Sequence, residues 1–571
     1  MRICPNLLYA NIPRPDQPDN PTNEERYYMS YYALYRACHT EDFYPIFEAF
    51  RPPEDITGIA PPGRLKGKRI GIIGGGLAGL SSAFELRKLG ADITIFEAND
   101  QRLGGRVYTY YFDREKQLRG EFGAMRIPVN HETVWHYINL FGLDTEPFIQ
   151  TDPSTFIYLH QIRVRNDPLG ENVMKYIYPT YGLSAWEAQT PWQELGYYGI
   201  EAPVLEAPPE ARSEIIRVKP QYSKPLLLWD SLNTRQMFQR RKLSQEAINL
   251  LSNLFPIGGE FLYNNYVDFV QEYFPVNFWF MYQIKGGMVN LPLAFYNSFG
   301  TSAPESYYPG IPAGLLGKVD YRAGNAVSGI YDRGGDKVTI AYTAKSSGNT
   351  QYADFDYVIC AVPFSVLRTF DIRPMFSSIK MQAIKEVTYG NAQKTIFNCS
   401  RRFWEDQGIK GGGSYTDLPV TTIWYTAPPS EADPYGSDKP GVIIASYNFN
   451  LDAVRLGNMT DEDRFAKIKR DVEEVHGLDR GYLDRIVTEF KTQNWEADPL
   501  FRGAFCYFTP EQKKLFSYPM TLPEYNNRVF FAGEHVSAIH RWQQGALQSG
   551  MEASNALARS EEARQYSGMA G

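Results

Sequence analysis

The sequence predicts an α/β domain built on a parallel sheet, interleaved with a second domain of α+β type that mixes sheet and helices. First, residues 69–73, 77–89 and 92–96 have the apolar patterns of a strand, a helix and a strand within about thirty residues, the length of one βαβ unit. Second, similar strand patterns recur far away, at residues 357–362 and 528–531. Third, the segments between them are long and mixed in period. We therefore expect one sheet assembled from distant parts of the chain.

The first 66 residues differ in character from those that follow. Prolines at positions 5, 13, 15, 18 and 21 interrupt the start, and prolines at 52, 53, 61 and 62 restrict the backbone before the first strand. Between them, residues 24–49 are rich in tyrosine and predict a helical stretch. We expect an N-terminal extension that packs on the main body or on a second subunit, and a removable pro-segment is the alternative.

A glycine motif joins the first predicted strand to the first predicted helix. Gly74, Gly76 and Gly79 have the GxGxxG spacing, and Leu77 and Ala78 open the helix. In dinucleotide-binding folds the first glycine permits the tight turn, the second lets the pyrophosphate approach the backbone, and the third lets the helix pack against the strand. The helix N-terminus then presents free N–H groups to the phosphates. The motif, with a strand before it and a helix after it, predicts a dinucleotide site.

Further residues extend this predicted cofactor site. Glu97, followed by Ala98, ends the second strand 18 residues beyond the last motif glycine, where a carboxylate accepts hydrogen bonds from ribose hydroxyls. An acid there also repels a 2′-phosphate, which argues against NADP. A few residues later, Gly105 and Arg106 can bring a backbone amide and a guanidinium to the phosphates.

Composition excludes several classes of protein. The 571 residues are 43% hydrophobic and 22% charged, as in ordinary globular proteins, and the net charge of -7 gives no footprint for nucleic acid. No apolar window is long enough for a membrane-spanning helix, and we see no signal peptide, so we expect a cytoplasmic protein. The five cysteines are scattered without CxxC spacing, which fits a reduced compartment and argues against a disulfide framework or a zinc site.

A third motif, Gly-Ala-Met-Arg-Ile-Pro at 123–128, follows the first two and resembles the flavin-dependent amine oxidase superfamily. Within that superfamily the match is to L-amino acid oxidases and their 2-monooxygenase relatives. The resemblance implies a Rossmann-like FAD-binding domain with cofactor contacts from Gly123, Ala124, Met125 and Arg126. It also implies that Arg126 grips the α-carboxylate of the substrate, and a planar guanidinium suits bidentate pairing with a carboxylate.

Other matches to this family lie far along the chain. The resemblance places Val327 on the strand that meets the adenine, Lys394 where a lysine is bridged by water to flavin N5, and Trp495 beside the flavin. It identifies Gly533 and Glu534 as the second FAD fingerprint, where the glutamate takes the ribitol chain. A helix beginning near residue 543 would then point its N-terminus at the flavin pyrimidine.

Two positions depart from the family pattern. The resemblance places Trp542 on the aromatic wall over the substrate, and it places Arg541 where a small residue offers its carbonyl to the substrate amine. The guanidinium of Arg541 would have to reach solvent or tune the pocket. Direct register puts Ser446 where animal oxidases have a carboxylate-binding tyrosine, but bacterial relatives have Ser-Tyr here, so we assign that role to Tyr447. If Ser446 and Asn448 faced the pocket instead, the pocket would be polar.

These matches predict a discontinuous domain organisation. The ranges are an N-terminal extension (1–66), an FAD-binding domain (67–130, 285–390 and 490–560), a substrate-binding and helical region (131–284 and 391–489), and a C-terminal tail (561–571). We also expect a homo-oligomer, a dimer or higher, without a nucleic-acid or membrane partner.

The function that the resemblance implies is FAD-dependent oxidative deamination of an L-amino acid by dioxygen. Hydride transfer from Cα to flavin N5 would yield the 2-oxo acid, ammonia and hydrogen peroxide. The flavin would be bound non-covalently, because no cysteine occupies the usual attachment motif. Three alternatives stay open: an L-amino acid 2-monooxygenase that forms an amide, an amine or polyamine oxidase, and a non-enzymatic flavin-fold binding or scaffold protein.

Overall fold

The computed structural model describes residues 14–255, 261–426 and 436–569. Prolines 5 and 13 and Cys4 lie outside these ranges. The helices are α1 (Asn23–Arg36), α2 (Phe43–Phe50), α3 (Leu77–Lys88), α4 (Glu132–Phe141), α5 (Trp192–Ile200), α6 (Ala202–Leu205), α7 (Pro209–Ser213), α8 (Lys224–Asp230), α9 (Thr234–Arg240), α10 (Gln245–Leu254), α11 (Tyr266–Val270), α12 (Asn290–Phe299), α13 (Phe364–Leu367), α14 (Ser378–Glu386), α15 (Asn450–Gly457), α16 (Asp461–His476), α17 (Gln512–Thr521) and α18 (Gln543–Met569).

The strands of the described ranges form six sheets. They are β1 (Arg69–Ile73), β2 (Asp92–Glu97), β3 (Thr109–Tyr111), β4 (Arg119–Glu121), β5 (Ile127–Pro128), β6 (Thr145–Phe148), β7 (Phe156–Leu159), β8 (Ile162–Arg165), β9 (Met281–Ile284), β10 (Lys318–Ala323), β11 (Asn325–Asp332), β12 (Val338–Ala344), β13 (Thr350–Phe355), β14 (Tyr357–Cys360), β15 (Asp371–Arg373), β16 (Thr388–Gly390), β17 (Ala392–Cys399), β18 (Gly413–Thr416), β19 (Thr422–Tyr425), β20 (Gly441–Phe449), β21 (Val487–Asn494), β22 (Phe505–Tyr507) and β23 (Val529–Phe531).

A five-stranded parallel sheet confirms the predicted α/β fold. Its order is β10-β2-β1-β14-β23, so the strands near residues 69, 357 and 529 are neighbours although they lie hundreds of positions apart. Ile72 of β1 pairs with Ile95 on one side and Ile359 on the other. These apolar strands are buried on both faces, as the uninterrupted hydrophobic runs predicted. The edge strand β10 was not predicted, because its alternating polar sequence lacks that pattern.

Helices α3 and α18 cover one face of the parallel sheet. Every residue of α3 is buried. Small side chains let the two helices approach closely: Ser82 Oγ donates to the carbonyl of Gly550 at 3.1 Å, and Ser81 Oγ donates to the carbonyl of Leu547 at 3.3 Å. The C-terminal helix therefore fixes the helix that opens at the glycine motif.

A seven-stranded sheet joins two inserted segments. Its order is β21-β17-β20-β19-β18-β7-β8, so β7 and β8 pair through β18 with strands that follow them by more than two hundred positions. Within it, Lys394 on β17 lies opposite Tyr447 on β20. A further four-stranded sheet, β13-β12-β11-β15, packs on the parallel sheet. The chain thus has an α/β part and a mixed part, and the two are interleaved.

The N-terminal segment packs on the main body. The predicted helical stretch is divided into α1 and α2 by a short break after Arg36. Arg26 of α1 forms an ion pair with Glu132 of α4 at 2.9 Å, and Gln544 of α18 donates to the carbonyl of Phe50 at 2.7 Å. These buried contacts hold the extension beside the start of α18.

One cysteine departs from the expectation. Cys38 is disulfide-bonded, so the argument against disulfides is wrong at this residue. Sequence spacing did not show this bond, because a disulfide needs only two cysteine side chains brought together by folding. Cys360, Cys399 and Cys506 are free and buried. None of the helices in the described ranges is long and apolar enough to cross a membrane.

Candidate active site

A cavity of about 560 Å³ begins at the carboxyl ends of the parallel strands and extends to the seven-stranded sheet. Ligands of α/β sheets bind at this edge. Most of the predicted site residues line the cavity: Gly74, Gly76, Leu77, Ala78, Glu97, Ala98, Gly105, Arg106, Gly123, Ala124, Met125, Arg126, Val327, Tyr447, Trp495, Gly533, Glu534, Arg541 and Trp542. Gly79 and Lys394 lie behind its wall.

The glycine motif forms a cradle at the start of α3. A Cβ added at Gly79 would lie 2.0 Å from the carbonyl oxygen of Gly74, so only glycine lets α3 approach β1. A Cβ at Gly76 would meet no atom within 4 Å, because this position faces the cavity. No side chain caps the N-terminus of α3. The first turn can therefore bind a pyrophosphate through its N–H groups.

Glu97 lies at the end of β2 and lines the cavity. Its Oε2 accepts a hydrogen bond from Gly75 N and its Oε1 accepts one from Asn99 N, both at 2.8 Å. Burial raises the pKa of Glu97, and these backbone donors oppose that shift. Each carboxylate oxygen keeps a second lone pair, so Glu97 can also accept hydrogen bonds from ribose hydroxyls.

Arg106 and Glu534 meet across the cavity wall. Arg106 Nη1 and Glu534 Oε1 are 2.8 Å apart, and Glu534 also accepts from Cys506 N at 2.9 Å and from Arg541 N at 3.0 Å. Burial acts to raise the pKa of Glu534, but Arg106 and two neighbouring histidines outweigh it and lower that pKa. Glu534, the acid of the second fingerprint, is therefore held as a carboxylate beside Arg106.

Two further predicted residues line the cofactor part of the cavity. Trp495 Nε1 donates to the carbonyl of Phe122 at 3.1 Å, which fixes the indole against the third motif. Val327 lies on β11 beside a register shift and lines the cavity. At the other end, the amide oxygen of Gln543 is buried without a protein partner at the start of α18. This donor and acceptor set fits a flavin dinucleotide.

Arg126 lies on the opposite part of the cavity, immediately before β5. Its guanidinium carbon lies 4.9 Å from the ring centroid of Trp424 and 5.4 Å from that of Phe278. Its Nη1 donates to Gln150 Oε1 at 2.7 Å, and no carboxylate of the described residues forms an ion pair with it. Burial lowers the pKa of Arg126, with nearby tyrosines and Glu272 acting against that shift. A guanidinium that lies among aromatic rings with only a neutral amide bound to it calls for an anionic partner once the cavity is filled.

Tyr447, and not Ser446, lines the cavity on β20. Ser446 Oγ donates to Gln393 Oε1 at 3.1 Å on the other face of the strand, and Asn448 Nδ2 donates to the carbonyl of Pro419 at 2.8 Å. Burial raises the pKa of Tyr447 to about 12, so its hydroxyl is protonated. The substrate part of the cavity is mainly aromatic rather than polar.

Lys394 is buried behind the third motif. Its Nζ donates to the carbonyls of Glu121 at 3.0 Å and Gly123 at 2.9 Å, and it lies 4.3 Å from the ring centroid of Tyr447. Burial lowers the pKa of Lys394 to about 7, although the Glu121 carboxylate opposes that shift. The lysine therefore does not line the cavity directly, but it contacts residues that do.

Arg541 has a positive φ of 73°, a backbone conformation that favours the glycine of the family pattern. Its guanidinium does not reach solvent. Nε donates to Glu272 Oε1 at 2.7 Å, Nη1 donates to Asp268 Oδ2 at 3.2 Å, and Nη2 donates to the carbonyl of Asp268. The ion pairs with Asp268 and Glu272 hold the side chain at the cavity wall.

Trp542 lines the cavity beside two other rings. It lies edge-on to His131 at 5.2 Å between ring centroids, and tilted to Phe278 at 6.0 Å. Burial lowers the pKa of His131 to about 3, so this imidazole is neutral. Trp542 therefore lies on an uncharged aromatic wall.

The sequence assigned residues 131–284 to the substrate-binding region but did not identify which of them line the cavity. Gln150, Glu272 and Phe278 line it, and none of them falls in a recognised motif. The spacing of one group could have been noticed. Phe269 and Tyr273 are four positions apart, as are Asp268 and Glu272, and this spacing puts each pair on one face of a helix. Among the described residues, no group of three or more His, Cys, Asp or Glu could hold a metal ion.

Comparison with known proteins supports a flavoenzyme. A family model described as flavin containing amine oxidoreductase matches residues 77–558. The chain is 27% identical over 534 residues to an L-amino-acid oxidase of Sistrurus catenatus edwardsii, covering 91% of this chain and 94% of that protein. It is 28% identical over 485 residues to an L-amino-acid oxidase of Siganus canaliculatus, covering 84% of each.

Solved structures share the fold. Putrescine oxidase bound to putrescine has a TM-score of 0.64 and 16% sequence identity, covering 85% of this chain and 98% of that one. A double mutant of the same enzyme has a TM-score of 0.63 and 15% identity, covering 86% and 98%. At these identities the likeness concerns the fold alone.

Proposed function

Since the chain belongs to the family of flavin-containing amine oxidoreductases, we propose that it is an L-amino acid oxidase. It would convert an L-amino acid, dioxygen and water to the 2-oxo acid, ammonia and hydrogen peroxide. The observation that carries this proposal is Arg126, a half-buried guanidinium that forms no ion pair with a carboxylate of the described residues and lines the cavity among aromatic rings. A carboxylate is the natural ligand for it, and a plain amine offers none.

FAD is the proposed cofactor. The N–H groups at the start of α3 and the side chain of Arg106 would hold the pyrophosphate, and Glu97 would accept the ribose hydroxyls. Glu534 would bind the ribitol chain at the other end of FAD, and the N-terminus of α18 would lie beside the flavin ring. When bound, FAD supplies the two-electron oxidation of the substrate Cα–N bond and the return of those electrons to dioxygen. None of the free cysteines lines the cavity, which favours non-covalent binding.

The residues of the chain would orient the substrate and exclude water. Arg126 would bind the α-carboxylate through two parallel N–H donors, and the protonated hydroxyl of Tyr447 would add a third donor. Trp542 and Phe278 would cover the reacting carbon. Fixing the carboxylate in this way places Cα in one orientation, which favours a single enantiomer.

Lys394 is the proposed residue for the oxygen half of the reaction. Its Nζ contacts the backbone of Gly123, which lines the cavity. With a pKa of about 7, this nitrogen can gain or lose a proton near neutral pH, and it holds that proton close to the cavity wall. The bonds to two carbonyls would fix its position.

An amino-acid panel tests the proposed function. We expect L-amino acids, and not D-amino acids, to release hydrogen peroxide and ammonia in equal amounts and to bleach the yellow protein without oxygen. Amines without a carboxylate should be poor substrates. Amide and carbon dioxide as the main products would indicate a 2-monooxygenase, and preferred oxidation of amines would indicate an amine oxidase. A yellow protein that no compound bleaches would favour a binding protein.

The domain organisation remains a proposal that the sheets support. The strands of the parallel sheet lie within 67–130, 285–390 and 490–560, and those of the seven-stranded sheet lie within 131–284 and 391–489 except for the last five residues of β21. Strand β21 ends at Asn494, so we place that boundary after it.

A further inference from the structure

The cavity contains a second charged group besides Arg126. Glu272 lines it one turn beyond Asp268, just after α11, and its side chain is 18% exposed. Its Oε1 accepts from Arg541 Nε at 2.7 Å. Its other carboxylate oxygen forms no hydrogen bond with the described residues. Glu272 therefore offers a free acceptor to whatever occupies the cavity.

Arg541 is not a partner of Glu272 alone. Its guanidinium is shared between Glu272 and Asp268, and its side chain is only 7% exposed. Two carboxylates thus share one guanidinium, and Asp268 Oδ1 also forms a hydrogen bond with His540 Nδ1. The N–H groups of Arg541 donate to Asp268 and Glu272. These three side chains therefore present to the cavity an acceptor, the second carboxylate oxygen of Glu272, rather than a donor.

Apolar walls lie beside this acceptor. The guanidinium carbon of Arg541 lies 5.7 Å from the ring centroid of Phe261 and 5.9 Å from that of Phe505, and these two rings stack at 6.1 Å. Phe449 packs edge-on against both. A side chain with an aliphatic stem and a cationic end can bury its stem here and place its charge on Glu272.

We propose that the preferred substrates are L-amino acids whose side chain ends in a cation, an ammonium or a guanidinium, which Glu272 binds. This inference rests on the proposed function, in which Arg126 takes the α-carboxylate. The α-carboxylate and the side-chain cation of such a substrate each then meet an opposite charge in the cavity, whereas an uncharged side chain leaves the second carboxylate oxygen of Glu272 without a hydrogen-bond partner. An acidic side chain would meet the Glu272 carboxylate and be repelled.

Substrate ratios in the wild-type enzyme and E272Q test the inference. We expect wild-type kcat/KM for L-lysine or L-arginine to exceed that for L-norleucine, an uncharged analogue of lysine, and that for L-glutamate. In E272Q the lysine-to-norleucine ratio should fall by about 10- to 200-fold, the range for a lost hydrogen bond to a charged group. The matched control E462Q, an exposed glutamate of α16, should keep the wild-type ratio.

The outcomes separate this inference from the proposed function. A wild-type enzyme that oxidises norleucine or glutamate as well as lysine overturns the inference and leaves the oxidase proposal standing. An unchanged ratio in E272Q also overturns it, since Glu272 would then serve the α-ammonium common to all substrates. If E272Q does not fold, the wild-type ratio still decides. A chain that oxidises no amino acid overturns both.

Discussion

At the scale of single residues, Arg126 determines what the cavity can bind. Its guanidinium is surrounded by Phe148, Phe278 and Trp424, and Gln150 is the neutral hydrogen-bond partner that it has in the described structure. Aromatic faces stabilise a cation but do not neutralise it. A carboxylate bound to Arg126 would supply the missing opposite charge and so lower the free energy of the site.

Replacing Arg126 should therefore impair amino acids selectively. We expect R126A to lower kcat/KM for an L-amino acid by a factor equivalent to about 2–5 kcal/mol, roughly 30-fold to several thousand-fold, because it removes one partner of a buried charge pair. R126K, which keeps the charge but not the planar fork, should lose less. The control substrate is the amine without the carboxylate, whose kcat/KM should not fall in parallel. An unchanged KM for the amino acid would contradict this role.

Lys394 should make stability depend on pH. Its pKa of about 7 in the folded state lies below its unfolded value of about 10.4, so between these pH values the unfolded chain binds one proton more than the folded chain. Stability then rises with pH across that window, by about 1.4 kcal/mol per pH unit. Relative to K394M, the wild type should gain roughly 3 kcal/mol between pH 7 and pH 9.5 by chemical unfolding. If the free energy of unfolding changed with pH by the same amount in the wild type and in K394M, this prediction would be contradicted.

For single residues, the sequence predicted which of them belong to the site better than it predicted what surrounds each side chain. Motif spacing predicted Glu97, and the family resemblance predicted Arg126 and Glu534; all three side chains line the cavity. The sequence left open where the Arg541 guanidinium would lie, and it could not show that Lys394 lies behind the cavity wall. The locations of these two side chains depend on residues from other elements, such as Glu272 for Arg541, and no local sequence pattern predicts such contacts.

At the scale of elements, the turn between β1 and α3 combines two different requirements for glycine. At Gly79 the requirement is packing, since a Cβ would collide with the carbonyl of Gly74. At Gly76 the requirement is ligand access, since a Cβ would enter the cavity without touching protein. The two glycines should respond differently to the same substitution.

We expect G79A to destabilise the protein even without cofactor, and G76A to weaken cofactor binding while the cofactor-free protein keeps its melting temperature. Overpacking of this kind costs about 1–3 kcal/mol. Thermal unfolding of the apoprotein and titration with FAD separate the two effects. Equal losses of apoprotein stability in both variants would show that Gly76 is a packing position as well.

Elements with strong apolar periodicity were predicted correctly. The strands β1, β2, β14 and β23 and the helix α3 are present as expected, and α18 begins at Gln543. The expected N-terminal helix is instead two helices, because the break after Arg36 has no proline or glycine to mark it. Edge strand β10 was missed because its pairing comes from tertiary context.

At the scale of the whole molecule, distant segments meet in one cavity. Ion pairs such as Arg106–Glu534 and Arg541–Glu272 join residues hundreds of positions apart. The sequence indicated which distant segments form the parallel sheet, since their strands are apolar. It assigned residues 131–284 to the substrate-binding region but could not name the side chains that line the cavity, because that segment has no recognised motif and consists largely of short helices.

The proposed mode of cofactor binding has a direct consequence. Within the described part of the chain, none of the three free cysteines lines the cavity. Acid precipitation of the yellow protein should therefore release the flavin into the supernatant, and mass spectrometry of that fraction should identify FAD. Flavin that stays with the precipitate would indicate a covalent bond.

The central claim is that the chain oxidises an amino acid and leaves its carboxylate in place. The most direct measurement uses an L-amino acid labelled with carbon-13 in the carboxylate, oxidised by the flavin-containing protein in air with catalase present. We predict that the label stays in the 2-oxo acid, in an amount equal to the ammonia released. Label recovered as carbon dioxide, together with an amide one carbon shorter, would contradict the account.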